Sequence, residues 1–238
     1  MNTIILANGI FPQHPIALNR LLSASLIVCC DAAIINLANH LRSSEPFANA
    51  LKGTDGEPIT VAVVGDGDSY RPDPVMEQLF AEAGSPLRHY ADADQETNDL
   101  TKAIRYASHQ GARQLEILGA TGLREDHTLG NIALLAHHSD LFSLRMYTDY
   151  GVFTPIHATT RFASFARQQV SLFNMRPAAA TLSSKGLQYP LIDRHLDELW
   201  EGTLNASMGE EFTIVLDALS EQQPQVLVYQ TYEAKESK

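Results

Sequence analysis

Apolar residues in the first 150 positions come in short, dense blocks, separated by longer stretches with apolar residues three and four apart. The blocks predict strands at residues 3–7, 26–30, 59–64, 114–118 and 143–147. The stretches near 15–22, 32–41, 74–83, 97–109 and 126–137 have the helical period. Short apolar strands that alternate with amphipathic helices predict a parallel or mostly parallel sheet covered on both faces. Residues 42–58 are polar and carry Gly, Pro and Ser, so they read as a surface excursion between two βα units.

The texture changes after residue 150. Short strand-like runs at 153–157, 160–165, 170–173, 178–182, 212–216 and 226–229 are separated by turn residues. Only 191–199 has a helical pattern. This spacing predicts a β-sandwich or a partial barrel. The boundary is expected near 150–154, dividing the chain into domains 1–152 and 153–238. There is no internal repeat and no low-complexity tract.

Composition narrows the class. The 238 residues are 45% hydrophobic and 19% charged, ordinary values for a globular chain. No apolar run approaches the roughly 18–20 residues that span a bilayer. No basic segment followed by an apolar one opens the chain, so no signal peptide is expected. The net charge of −11 argues against a nucleic-acid partner, and no basic cluster offsets it. Cys29 and Cys30 are adjacent within an apolar run, which predicts reduced thiols in a buried strand and excludes a disulfide framework. Together these features predict a cytoplasmic protein without a membrane partner.

In open α/β sheets ligands bind beyond the carboxyl ends of the strands, so polar residues directly after strands are the candidates for chemistry. Four places stand out. In Gly65-Asp66-Gly67-Asp68-Ser69 two carboxylates follow a strand, two residues apart, and can hold a hard cation. A solvated acidic turn has the same spacing. In the segment 92–103, Asp92, Asp94, Glu96 and Asp99 crowd the start of a helix. Helix capping explains one or two of them; the remainder repel one another unless a cation offsets them. Gly119 to Asn131 forms a Gly-containing loop leading into a helix, a geometry suited to phosphate. Arg124 can grip phosphate oxygens with a bidentate fork, Asp126 can orient Arg124 or join a metal shell, and His127 and Asn131 share a helix face. In Cys30-Asp31 to Asn36, Asp31 either caps the following helix or stands with Asn36 beside a nucleotide. No nucleophilic Ser or Cys motif and no zinc spacing is present.

At these four places the chain resembles the thiamine pyrophosphokinase family. That family's pattern is an Asp-Gly-Gly after an early strand, then Gly-Asp-Phe-Asp-Ser, then Asp-Gln-Asp-x-Thr-Asp-x-Thr-Lys, then Gly-x-x-Gly-Arg-x-Asp-His with a later Asn. Here the counterparts are Asp31-Ala32-Ala33, Gly65 to Ser69, Asp94 to Lys102, and Gly122-Leu123-Arg124-Glu125-Asp126-His127 with Asn131. The likeness continues through Val170 to Phe173, through Lys185-Gly186-Leu187-Gln188-Tyr189-Pro190-Leu191, and through Gly202-Thr203-Leu204-Asn205, where the family has Gly-x-Ser-Asn. The departures are Ala32-Ala33 for a Gly pair, Gly67 for an aromatic residue, Glu96 for Asp, Asn98 for Thr and Leu204 for Ser.

The resemblance implies an N-terminal, mostly parallel α/β sandwich domain that binds ATP and Mg²⁺, followed by a C-terminal all-β sandwich domain that binds thiamine. It implies pyrophosphoryl transfer from ATP to the thiamine hydroxyl. It also implies a homodimer with its active sites at the subunit interface. Catalytic roles fall to Asp66, Asp68, Asp99, Arg124 and Asp126, and metal ligation to Asp66, Asp68, Glu96 and Asp99. Substrate contacts are expected from Asp31, Asn36, Ser69, Thr101, Lys102, Gly122, His127, Asn131, Thr203 and Asn205. Trp200 or Tyr189 either stacks on a thiamine ring or packs in the β-domain core. Another Mg²⁺-dependent nucleotide transferase, a phosphohydrolase or a non-catalytic sensor has similar acidic loops.

Overall fold

The computed structural model describes residues 2–53, 57–67 and 70–234, so Asp68 and Ser69 lie outside the described residues. The chain forms two compact units: Met1–Leu134 with Leu141–Asp149, and Leu135–Asp140 with Tyr150–Lys238.

The first unit contains β1 (Thr3–Leu6), α1 (Pro15–Leu22), β2 (Leu26–Cys30), α2 (Ala33–Ser43), α3 (Glu45–Leu51) and β3 (Thr60–Gly65). These are followed by α4 (Pro74–Glu82), β4 (Arg88–Ala91), α5 (Asp99–His109), β5 (Gln114–Leu118), the start of α6 (Glu125–His138) and β6 (Ser143–Tyr147). Its strands lie in the order β6-β5-β1-β2-β3-β4, with every pairing parallel. β1 and β2 are buried at every position, as the unbroken apolar runs require. The helices start where side chains satisfy exposed backbone N–H groups. Asp73 Oδ1 accepts from Val75 N–H at 2.9 Å ahead of Pro74, and Asn98 Oδ1 accepts from Thr101 N–H at 3.0 Å.

Two elements of this unit departed from expectation. The excursion at 42–58 contains α3, which Ser44 caps and which buries Phe47 and Leu51, one turn apart. β4 has no apolar face, and all four of its residues are exposed. Its extended form comes from its pairing with β3, Ala62 opposite Arg88 through Gly65 opposite Ala91. Cys29 and Cys30 are free and buried in β2, where desolvation pushes both thiols up.

The second unit is an antiparallel β-sandwich. Its strands are β7 (Gly151–Ile156), β8 (Thr160–Ala163), β9 (Gln168–Asn174), β10 (Ala180–Lys185), β11 (Asn205–Ala206), β12 (Glu211–Ala218) and β13 (Val226–Ala234). One sheet has the order β11-β9-β13-β7 and the other β10-β12-β8. Inward residues alternate along β9, so Val170 and Leu172 join Val226 and Val228 in one core with Leu182, Phe212 and Ile214 of the other sheet. Fully burying each of these side chains is worth about 1.5–3 kcal/mol.

The helical expectation at 191–199 was wrong. Asp193 and Leu196 have φ of +48° and +52°, which breaks a right-handed helix. The backbone instead pairs with β10: Arg194 and Leu182 exchange N–H···O bonds of 2.7 and 2.9 Å, and Ser184 N–H donates to Leu191 O at 3.0 Å. The edge strand offers that segment more hydrogen bonds than a short isolated helix would keep.

A charged tie within the second unit has a pH signature. Arg176 Nη2 lies 2.7 Å from Asp140 Oδ2, and this bond is the main reason the Asp140 carboxyl sits below the usual carboxylate range. A depressed folded value means the stabilisation is present above the unfolded carboxylate pKa and is lost as pH falls through the folded one. Arg176→Met is therefore less stable than the parent at neutral pH. The gap between the two should close as pH drops below about 4, which urea unfolding at a series of pH values measures.

Among the described residues, no helix is long and apolar enough to cross a membrane.

Candidate functional site

The strand order places a topological switch between β1 and β5. From β1 the chain runs outward through β2, β3 and β4, then returns to lay β5 on the opposite side of β1. Such a reversal leaves a crevice at the carboxyl ends of the strands. A cavity of about 450 Å³ occupies this position in the first unit, and its wall includes Asn8, Cys30, Asp66, Asp99, Lys102 and Arg124.

The loops after β1 and β5 are held together as if the ladder continued. Gly9 N–H donates to Gly119 O at 2.7 Å, and Ile10 N–H donates to Thr121 O at 3.0 Å. At φ +64° Gly119 takes a left-handed turn, and a Cβ there would sit 2.7 Å from Ala7 O. The helix that follows braces the loop from below. Thr128 Oγ1 accepts from Gly122 N–H at 3.0 Å and donates to Arg124 O at 3.1 Å, while Asn131 Nδ2 donates to Ala120 O at 2.8 Å. Gly122, His127 and Asn131 all line the cavity. Arg124 forms a two-point fork with Asp126, Nε to Oδ1 at 3.1 Å and Nη2 to Oδ2 at 2.6 Å. The fork holds the Asp126 carboxyl down and raises the guanidinium, and both groups are exposed to solvent. Asp126 itself is not part of the cavity wall.

Opposite this loop lies an ammonium between carboxylates. Lys102 is only 2% exposed, and its Nζ lies 3.8 Å from Asp66 Oδ2 and 3.5 Å from Asp99 Oδ1. Asp66 also accepts from Gln95 Nε2 at 3.2 Å. The acidic crowding at 92–99 is thus offset in part by the protein's own cations. Asp94 accepts from Arg105, Glu96 N–H and Thr97, with the Arg105 bond first among the causes that pull its carboxyl down to about 2. Asp94 therefore organises the loop, and Asn98 rather than an acid caps α5.

Replacing Lys102 by Met leaves Asp66 and Asp99 facing each other with their shared cation removed. Both carboxylates are partly solvated, so the expected loss is about 1–3 kcal/mol, below the cost of breaking a fully buried pair. Thermal unfolding measures it, and an unchanged Tm would contradict the electrostatic role given to Lys102.

Several expected site residues stand elsewhere. Glu96 is exposed and does not line the cavity. Thr101 is buried, with its backbone N–H committed to the Asn98 cap. Asp31 is buried at φ +41° against Gly65, where a Cβ would sit 2.8 Å from the Asp31 Cβ. The N-cap position of α2 falls to Ala32 instead of Asp31. Asn36, on α2, is half-buried. Neither Asp31 nor Asn36 lines the cavity. Asn8 and Gly9 do, and the sequence reading passed over them, although an Asn-Gly pair directly after the first strand was the available signal.

Among the described residues, no three His, Cys, Asp or Glu side chains form a ready-made cation site. The donor set nevertheless fits a hard divalent ion. Two carboxylates converge on one cationic centre in an open cavity, and Mg²⁺ is typically held by one or two carboxylates with water and phosphate oxygens completing the shell.

The second unit has its own cavity of about 520 Å³, walled by residues that include Tyr189, Arg194, Glu201, Thr203, Leu204 and Asn205. Asn205 is buried and committed to the backbone of Tyr189. It accepts from Tyr189 N–H at 3.0 Å and donates to Tyr189 O at 2.6 Å. Thr203 Oγ1 donates to Trp200 O at 2.7 Å. Tyr189 and Trp200 are 58% and 70% exposed, so neither packs in the sandwich core. Tyr189 lines the cavity and Trp200 does not.

Comparison with known proteins is consistent across both units. The family model described as "Thiamin pyrophosphokinase, catalytic domain" matches residues 18–146, and "Thiamin pyrophosphokinase, substrate-binding domain" matches residues 151–229. Thiamine pyrophosphokinase 1 of Oryza sativa subsp. japonica is 26% identical over 183 residues, covering 71% of this chain and 66% of the relative. Thiamine pyrophosphokinase of Bacillus subtilis is 36% identical over 88 residues, covering 35% of this chain and 40% of the relative. The aligned stretches thus span about two thirds or less of those relatives' own length. Among solved structures, thiamine pyrophosphokinase from Bacillus subtilis superimposes with a TM-score of 0.69 at 19% identity, covering 96% of this chain and 98% of its own. Yeast thiamin pyrophosphokinase gives 0.70 at 16% identity, covering 97% and 86%. At these identities the structural likeness speaks for the fold.

Proposed function

The chain belongs to the thiamin pyrophosphokinase family, and from that premise we infer that it transfers the pyrophosphoryl group of ATP to the hydroxyl of thiamine, releasing AMP. The observation that carries the reading is the convergence of Asp66, Asp99, Lys102 and Arg124 on one cavity at the sheet's switch point. The first unit serves as the catalytic, ATP-binding domain and the second as the thiamine-binding domain. The two family matches fall on these two parts of the chain, which supports the division.

The reaction needs the anionic phosphates neutralised and the attacking hydroxyl held in line with the leaving AMP. Asp66 and Asp99 would hold Mg²⁺, with Asp68 as a third candidate from the sequence pattern. A bound Mg²⁺ supplies charge neutralisation on phosphate oxygens. Lys102 keeps the two carboxylates directed at one point and limits their repulsion. Glu96, exposed and off the cavity wall, is left as an outer contributor to the acidic field. Arg124 lies on the phosphate-facing loop, with Asp126 fixing the plane of its fork. When the guanidinium turns to the transferred group, it offers two parallel N–H donors to developing charge. Asn8 and Gly9 supply polar backbone and amide groups on the β1 side of the same wall.

The acceptor is a cationic aromatic molecule. The exposed rings of Tyr189 and Trp200 and the carboxylate of Glu201 in the second unit have the chemistry to receive it. A homodimer, in which the catalytic unit of one subunit meets the second unit of its partner, would give each active site both halves. The exposure of those rings in a single chain supports that arrangement. The absence of a membrane-length helix among the described residues and the buried free cysteines support a cytoplasmic location.

The test is AMP release from ATP and Mg²⁺, with and without thiamine. Thiamine-dependent release is expected. Release that ignores thiamine points to a hydrolase, and thiamine binding without release points to a sensor.

A further inference from the structure

Leu204 adopts a backbone conformation that its side chain disfavours. Its φ is +63°, in the left-handed region where a Cβ crowds the following carbonyl. The surroundings explain how the turn is held. Leu172 N–H donates to Gly202 O at 2.8 Å, Thr203 N–H donates to Trp200 O at 3.2 Å, and Asn205 clamps the backbone of Tyr189. None of these bonds uses the Leu204 side chain. Glycine or asparagine would meet the same turn with less strain.

Packing does not compensate for the strain either. Leu204 is 71% exposed, so little apolar surface is buried in return. What leucine adds is an aliphatic face on the wall of the cavity in the second unit, beside Tyr189 and near the Arg194–Glu201 pair at 3.7 Å. Strain that the fold enforces and the core does not repay is characteristic of ligand-contacting positions.

We propose that Leu204 is a specificity-determining residue, whose side chain packs against the aromatic face of the acceptor substrate. The inference rests on the pyrophosphoryl-transfer reading for the identity of that substrate. The family pattern that the chain resembles has a serine here, so leucine sets an apolar side chain where that pattern has a polar one. Acceptor binding in this protein accordingly depends on ring contact at residue 204 more than on a hydrogen bond there.

The experiment uses the full chain and two variants, Leu204→Gly and Leu204→Asn. Thermal unfolding, calorimetric titration with thiamine and steady-state AMP release are measured on each. Relief of the left-handed strain raises Tm by about 2–4 °C in both variants. Loss of the aliphatic face weakens thiamine binding about tenfold. KM for thiamine rises in step, while kcat moves by less than about twofold, the pattern of a lost binding contact. A raised Tm with unchanged thiamine affinity overturns the contact, and an unraised Tm overturns the strain on which the argument stands. If the parent chain binds thiamine but releases no AMP, the transfer reading falls and the Leu204 contact survives. If the parent chain binds no thiamine, both fall.

Discussion

Asp66→Ala is expected to lower thiamine-dependent AMP formation by at least about 10³-fold, the scale of losing an oriented charge at a phosphoryl-transfer centre. Asp66 directly follows β3 and lines the cavity, where it meets Lys102 and Gln95. Its removal takes away one of the two described carboxylates that converge there. Lys102 keeps Asp99 at 3.5 Å, so the buried ammonium is not left alone and the fold survives. Near-parental circular dichroism together with lost turnover is the expected pair of results. The sequence spacing predicts the same outcome for Asp68→Ala. Near-parental AMP formation by the Asp66 variant would remove the metal assignment from this carboxylate.

Arg124→Ala comes second in expected effect, a fall in kcat of about 10²–10³-fold, short of the largest losses seen for arginines that act on transferred phosphoryl groups. The side chain is well exposed and its tie to Asp126 lies at the surface, so stability should change little. That separation makes the variant informative. Arg124→Lys should recover only a small part of the loss, because an ammonium cannot reproduce the planar two-donor fork. KM for thiamine should stay near the parental value, since Arg124 belongs to the phosphate side of the reaction. A kcat within about twofold of the parent in Arg124→Ala would assign the guanidinium to surface charge alone.

Much of the α/β unit was legible because most of its strands carry short dense apolar runs, buried at every position in β1 and β2 and on alternate positions in β6. The runs at 26–30, 114–118 and 143–147 need no partner information to be read as strands, and the structure has Leu26–Cys30, Gln114–Leu118 and Ser143–Tyr147. β4 was illegible for the opposite reason. Arg88, His89, Tyr90 and Ala91 are all exposed and form no apolar run, and their pairing with the neighbouring β3 makes them a strand. At 191–199 the apolar spacing was helical, yet left-handed turns at Asp193 and Leu196 and pairing with β10 prevailed, as tertiary hydrogen bonds override local period.

The candidate site divides in a similar way. Asp66, Asp99 and the Gly119–Arg124 loop could be read from the rule that ligands bind beyond strand ends. The counter-charge of Lys102 could not, because nothing in the spacing of 94–102 shows that its ammonium is buried between Asp66 and Asp99. Asp94 read only as one of four acids crowding a turn, and Arg105, eleven residues further on, turns out to neutralise it. The left-handed backbone of Leu204 was invisible in sequence too, since leucine is the last residue that such a turn would suggest.

The central claim concerns which bond of ATP is broken, and the products report it directly. ATP carrying labelled phosphorus at the β position is incubated with the protein, Mg²⁺ and thiamine, and the products are separated. Label recovered in thiamine diphosphate, with AMP formed in equal amount, is the predicted result. Thiamine monophosphate with labelled ADP, or label released as inorganic phosphate or pyrophosphate, would contradict pyrophosphoryl transfer.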